Sequence, residues 1–163
     1  MHTRRLNAVV ERDVFVKMAP GYEINDKSEV PFVMKLRKSL YGLRQSPKNW
    51  FGTMDLALAV IGFRPLKSDP CVYIYEDETV FVILTLYVDH ILFLSASKTL
   101  LNKLKNKLMG RFEMSDMGNV SRILGMNVTR DHEKGTITIS QKDYTEDVVQ
   151  RYGMKSCYPA YTP

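Results

Sequence analysis

Asp89 and His90 stand side by side between two apolar runs, Val82–Val88 and Ile91–Leu94. The runs are long enough to be buried strands, and Asp tolerates the turn that would join them. Three readings of the pair stay open on residue type alone: a polar hairpin tip, a metal site, or what is left of one. Carboxylate oxygen suits Mg²⁺, whereas imidazole suits zinc or copper. A neutral imidazole also brings no negative charge to a cation. A new Asp-His metal site would need further ligands close in space, and the sequence identifies none. Cys71 and Cys157 offer no CxxC spacing and no nearby pair of histidines, which argues against zinc; two free thiols in a reducing compartment are the default expectation, and one disulfide the alternative.

Other candidate residues lie before and within the first helix. Lys35, Arg37, Lys38 and Arg44 flank a turn and could contact phosphates. An ordinary solvated strand end explains them equally well. Ser46-Pro47 reads as a helix start, with Ser46 capping free backbone N–H groups and Pro47 losing no hydrogen bond. Trp50 and Phe51 fall at core spacing and read as packing. Lys103, Lys105, Lys107 and Arg111 share one helix face, which reads as solvated surface. Tyr87 precedes the Asp89 turn by two residues, and packing against a neighbouring strand accounts for it as well as a site role does.

The elements that must position these groups follow from periodicity. "DVFVKMAPGYE" (13–23) reads as a short strand closed by a Pro-Gly turn, and 25–31 as a polar loop. "FVMKLRKSLYGL" (32–43) reads as a strand broken at Gly42. Trp50, Phe51, Met54, Ala57, Leu58 and Ile61 recur at helical spacing, and Gly62 ends that helix. Residues 71–88 read as two strands joined by the acidic turn Glu76–Thr79. A second helix follows Ser97, with Leu101, Leu104, Leu108 and Phe112 on one face. Met126–Arg130, the turn "DHEKG" and "TITIS" form a hairpin. A last helix spans about 141–152 and stops at Gly153. The order predicts an α+β chain with an antiparallel sheet packed on helices.

The chain has 163 residues, 45% hydrophobic and 25% charged, with a net charge of +5. That composition is globular and not disordered. A moderately basic balance is compatible with nucleic acid or an acidic surface without requiring either. The N-terminus lacks a signal-peptide apolar core, and Val80–Val88 is far too short to span a bilayer. The expectation is an intracellular protein, in cytoplasm or nucleus, with no membrane role.

Six blocks then occur in a specific order: "VFVKMAPGYE", "LRKSLYGLRQSPKNW", "GFRPLKSDPCVYIY", "LYVDHILFLS", "RFEMSDMGNVSRILGMNVTRD" and "ISQKDYTEDVVQRYGM". Together they resemble the reverse transcriptase domain of copia-type LTR retrotransposons, from about Leu6 to Pro163. The resemblance implies a polymerase palm with part of the fingers and the start of the thumb. It divides a single truncated domain into fingers and palm (about 1–70), palm with the Tyr87–His90 hairpin (71–125) and primer-side hairpin with early thumb (126–163). It puts Lys35, Arg37, Lys38, Arg44, Gln45, Ser46 and Tyr87 on the nucleotide and template side. Leu124 and Gly125 open the region that holds the primer end.

The family's reaction uses two divalent ions, Mg²⁺ in the cell, roughly 3.5–4 Å apart. It draws carboxylates from an early-strand Asp and from the Asp pair of a Tyr-Val-Asp-Asp hairpin. Here that pair is Asp89-His90. The family's early Asp lies about five residues before a Phe-Leu-Asn-Gly stretch, which Arg5-Leu6-Asn7-Ala8 occupies here, so its position falls just before Met1. Only Asp89 remains as a catalytic or metal-binding remnant, insufficient alone, and His90 reads as a hairpin-tip residue. The resemblance therefore implies an inactive polymerase fragment that needs no cofactor of its own.

Two present-day roles compete. One is weak, salt-sensitive binding of RNA, DNA or an RNA–DNA hybrid, favoured by the basic charge and the primer-side hairpin. The other is a co-opted protein-interaction module, effector or regulatory. A missing early strand would leave an apolar sheet edge beside Tyr87–Ile91, and such an edge favours self-association or a partner. The alternative cover, Asn7–Val16 folded back, carries charges at Glu11, Arg12 and Asp13 that suit a surface better.

Overall fold

The computed structural model describes residues 1–3, 8–10, 12–22, 24, 32–77, 80–158 and 160. The expected polar loop at 25–31 and the centre of the acidic turn at 78–79 lie outside them, as do Arg5-Leu6-Asn7. The described elements are β1 (His2–Thr3), β2 (Phe15–Lys17), β3 (Val33–Lys35), α1 (Ser46–Ile61), β4 (Arg64–Pro65), β5 (Val72–Asp77), β6 (Val80–Tyr87), β7 (His90–Ser95), α2 (Lys98–Met109), β8 (Met114–Ser115), β9 (Arg122–Ile123), β10 (Met126–Asp131), β11 (Thr136–Ser140) and α3 (Lys142–Arg151). Helices and antiparallel strands are mixed, as the sequence predicts. Met1–Asp116 and Met117–Pro163 form two compact units.

The first unit is built on a sheet in the order β4-β5-β6-β7-β1-β8. Its centre is β6, where Val82, Leu84 and Leu86 are buried and alternate with more accessible residues. Period-two alternation turns one face of the sheet inward. Against that face α1 lays Trp50, Met54, Leu58 and Ile61, and α2 lays Leu104 and Leu108. Trp50 meets Phe112 edge-on, ring centroids 5.4 Å apart. Tyr73 is fully buried, and its hydroxyl donates to Asp55 Oδ1 at 3.0 Å. Burial first, then that hydrogen bond and the Asp55 charge, raise the Tyr73 pKa well above its ordinary value.

The ends of α1 show why the sequence starts and stops there, with one correction. Ser46 does not cap the helix. Gln45 occupies the cap position and makes no side-chain cap bond, while Ser46 is the first helical residue. Its buried hydroxyl donates to the Leu40 carbonyl at 2.6 Å. The serine closes the preceding turn onto the helix, a job that competes with capping. At the other end Gly62 has φ 110°, and its N–H bonds the Leu58 and Ala59 carbonyls. A Cβ at Gly62 would come within 3.2 Å of the Tyr75 ring, so both backbone and packing call for glycine. By contrast Ser97 does cap α2, accepting from Leu100 N–H at 3.2 Å.

The hairpin edge expected to be bare is covered. β1 pairs antiparallel with β7, His2 opposite His90, and with β8 on its other side. The Met1 nitrogen donates to the Ile91 carbonyl at 2.8 Å, and Ile91 N–H donates to the Met1 carbonyl at 3.0 Å. Three residues suffice to bridge β7 and β8, so the premise for self-association at this edge fails. Ala8 is buried in the core, which also departs from the surface reading of Asn7–Val16. Within that stretch Val9 bridges Lys38, and β2 pairs with β3.

The second unit contains a three-stranded sheet, β11-β10-β9, with α3 against β10. The expected hairpin is present over Met126–Asp131 and Thr136–Ser140. Ile123 pairs with Met126 across Leu124-Gly125, so β9 belongs with this hairpin. Among the described residues no helix is long and apolar enough to cross a membrane, and Cys71 and Cys157 are free thiols.

Candidate active site at the hairpin tip

β6 and β7 are joined by the two-residue turn Val88-Asp89, with Tyr87 paired to His90. Val88 has φ 53°. A positive φ at the first central position marks a II′-type hairpin turn, where glycine is the usual residue. For a β-branched residue this conformation is a real outlier, costing roughly 1–2 kcal/mol. Trp50 holds it in place: its indole N–H donates to the Val88 carbonyl at 2.6 Å. The buried face of α1 thereby fixes the turn that aims Asp89.

Asp89 has both carboxylate oxygens engaged. The Tyr41 hydroxyl donates to Oδ2 at 2.7 Å. His90 Nδ1 lies 2.7 Å from Oδ1. The Asp89 side chain is 16% exposed and that of His90 56%. Desolvation pushes the Tyr41 pKa up to about 12, with the hydrogen bond to Asp89 and its charge adding to the rise. Tyr41 is the residue that sequence reasoning missed. Its place one residue before the turn glycine Gly42, at the foot of α1, was the available signal.

The expected site residues fall into groups. Tyr87 and His90 flank the turn, and Tyr87 is 57% exposed. Ser46 and Val88 share the lining of one cavity with Tyr41 and Trp50. Gln45 is half-buried, and its Nε2 is a buried donor with no partner among the described residues. Arg37, Lys38 and Arg44 are exposed, whereas Lys35 is ion-paired with Asp13 at 2.7 Å. On α2, Lys103 and Lys107 are exposed as expected; Arg111 is exposed too but lies beyond the helix, which ends at Met109 and not past Arg111 as its spacing suggested. Lys105 departs from that pattern: it is half-buried and pairs with Asp116 at 2.9 Å.

Leu124 and Gly125 belong to the second unit. They have φ 51° and 77°, the pair of positive values that a two-residue I′ turn requires. Leu124 is an exposed, unbranched-at-Cβ side chain in a conformation that normally selects Asn or Gly. Strained residues of this kind gather at functional sites.

Among the described residues no group of three His, Cys, Asp or Glu side chains could hold a metal ion. A divalent cation at Asp89 would have to displace two hydrogen-bond donors and accept imidazole in place of a second carboxylate. The described residues at the hairpin tip do not fit a Mg²⁺ pair.

Comparison with known proteins supplies the family. The family model described as reverse transcriptase (RNA-dependent DNA polymerase) matches residues 1–163. A retrovirus-related Pol polyprotein from transposon TNT 1-94 of Nicotiana tabacum is 37% identical over 99% of this chain and 12% of the polyprotein. The corresponding polyprotein from transposon RE1 of Arabidopsis thaliana is 32% identical over 97% of this chain and 10% of its own length. A putative transposon Ty5-1 protein of Saccharomyces cerevisiae is 29% identical over 87% of this chain and 45% of its own. The chain spans about a tenth of the length of the two polyproteins. No solved structure matches.

Proposed function

For a chain that belongs to the reverse transcriptase family of copia-type retrotransposons, we propose a non-polymerising role: a palm that binds nucleic acid through its backbone and does not transfer nucleotides. One observation carries the reading. Both oxygens of Asp89 are taken, by the Tyr41 hydroxyl and by His90 Nδ1.

Nucleotide transfer depends on carboxylate oxygens presented to hard cations. Here the hairpin presents one carboxylate, with the Tyr41 hydroxyl donating to one oxygen and His90 Nδ1 against the other. An imidazole next in sequence supplies neither negative charge nor a hard ligand. Trp50 holds the backbone of the turn through the Val88 carbonyl, which fixes the point from which Asp89 projects toward Tyr41 and His90.

Binding is a separate matter from chemistry. Phosphate contacts need only exposed cations and a surface, and Arg37, Lys38 and Arg44 remain exposed. The net charge of +5 favours a polyanion over a neutral partner. The tight Leu124-Gly125 turn supplies an exposed, strained tip of the kind that contacts a ligand. The expected behaviour is weak, sequence-indifferent binding that falls steeply with salt.

The test is fluorescence anisotropy of a labelled RNA–DNA hybrid over a salt series, run beside primer extension on the same preparation. Salt-sensitive binding without extension supports the reading. Extension above an Asp89→Ala control overturns it.

A further inference from the structure

We propose that the cavity between α1 and the β6–β7 hairpin is a binding site for a small, uncharged, planar aromatic molecule. The cavity measures about 260 Å³. Its lining includes the buried Trp50 and the partly buried Phe51 and Cys71. Tyr41, Pro47 and Val88 are exposed and form its rim.

The chemistry of the occupant follows from what the lining offers. Among the described residues no charged side chain lines the cavity. Its polar groups are committed elsewhere: Tyr41 to Asp89, the Ser46 hydroxyl to Leu40, and the Trp50 indole to Val88. A ligand carrying a charge or many hydrogen-bonding groups would lose water and find no partner, which is costly. An apolar ligand would lose nothing and gain contact with the Trp50, Phe51 and Tyr41 rings, which favour stacked or edge-on aromatic neighbours. The volume is slightly below the roughly 300–1,000 Å³ of pockets that take drug-sized ligands. A bicyclic ring system is therefore the fitting size. Because Tyr41 lines the cavity at its rim while its hydroxyl holds Asp89, an occupant would register at the hairpin tip.

Two features make the site testable in the unaltered protein. Trp50 is the single tryptophan, so its indole N–H gives one NMR signal, and the probe need carry no label. Cys71 lines the cavity while Cys157 is exposed in the other unit, so each molecule holds its own control thiol.

Indole is the probe, and indole-3-acetate its charged counterpart. In ¹⁵N-labelled protein, indole is expected to shift the Trp50 side-chain signal and the His90 amide saturably, while indole-3-acetate leaves both unmoved at the same concentration. Saturating indole is also expected to slow maleimide alkylation of Cys71 several-fold and leave Cys157 unchanged. Cys71→Phe, which fills the cavity, is expected to abolish the Trp50 shift. A non-saturating shift, equal response to the charged probe, or equal protection of both thiols overturns the proposal. The last two readouts do so even where Cys71→Phe fails to fold.

Discussion

The Tyr41 hydroxyl and the Asp89 carboxylate, 48 residues apart in sequence, meet at 2.7 Å. Their hydrogen bond joins the foot of α1 to the hairpin tip and helps to raise the Tyr41 pKa to about 12. A tyrosine whose folded pKa exceeds its unfolded value contributes stability that is complete below about pH 10 and lost as pH rises toward 12. Tyr41→Phe is expected to remove the alkaline dependence assigned to this group in an ultraviolet titration. Because the Tyr41 partner is solvent-exposed, the loss of stability at neutral pH should stay at or below about 1 kcal/mol. Denaturant melts of both proteins at pH 7 and above pH 10 check the two statements.

Trp50 supports both the core and the turn. Trp50→Phe keeps an aromatic ring against Phe112 but removes the donor to Val88. Trp50→Ala removes both and should cost about 3–5 kcal/mol, the range for deleting a large buried aromatic. The expected order of unfolding midpoints is wild type, then Trp50→Phe, then Trp50→Ala. Equal midpoints for wild type and Trp50→Phe would show that the bond to Val88 contributes nothing.

The two strained tips make an opposite prediction, that substitution stabilises. Val88→Gly relieves a left-handed conformation worth roughly 1–2 kcal/mol. Against this stands the entropic cost of glycine, about 0.5–1 kcal/mol. The net expectation is a stabilisation of up to about 1.5 kcal/mol. Leu124→Asn should stabilise the second unit for the same reason, since Asn-Gly is the preferred I′ pair. A lower melting temperature for both variants would mean that interactions of the native side chains compensate the strain.

Most of the first unit was legible because its signals are local. The 3.6-residue recurrence from Trp50 to Ile61 gave α1, and the apolar runs on either side of Asp89 gave β6 and β7. The hairpin at 126–140 followed from its turn residues. What stayed hidden depends on distant pairing. β1 is two residues long and carries no pattern of its own; its strand character comes from β7 and β8 on either side. Ser46 looked like a cap because residue type alone cannot say whether its hydroxyl turns to the helix or back to Leu40. Tyr41 was passed over because its partner lies far along the chain. Asp89-His90 was marked by type, but the engagement of both oxygens is a property of geometry.

Charge reversal separates a defined binding face from diffuse electrostatics. Reversing Arg37, Lys38 and Arg44 together is expected to weaken hybrid binding more than reversing Lys103, Lys107 and Arg111. It should also flatten the dependence of log affinity on log salt. Each phosphate that the variant no longer neutralises should reduce the slope by about 0.7–0.9. Equal effects from the two triplets would show that net charge alone drives binding.

Single-nucleotide incorporation on a primed RNA template tests the central claim most directly. It is measured with Mg²⁺ and with Mn²⁺, on protein shown to bind the same hybrid, beside Asp89→Ala. The expected result is no template-dependent incorporation above that variant with either ion. Incorporation that requires the complementary nucleotide and disappears in Asp89→Ala would contradict it, because Asp89 would then be holding a metal ion in spite of Tyr41 and His90.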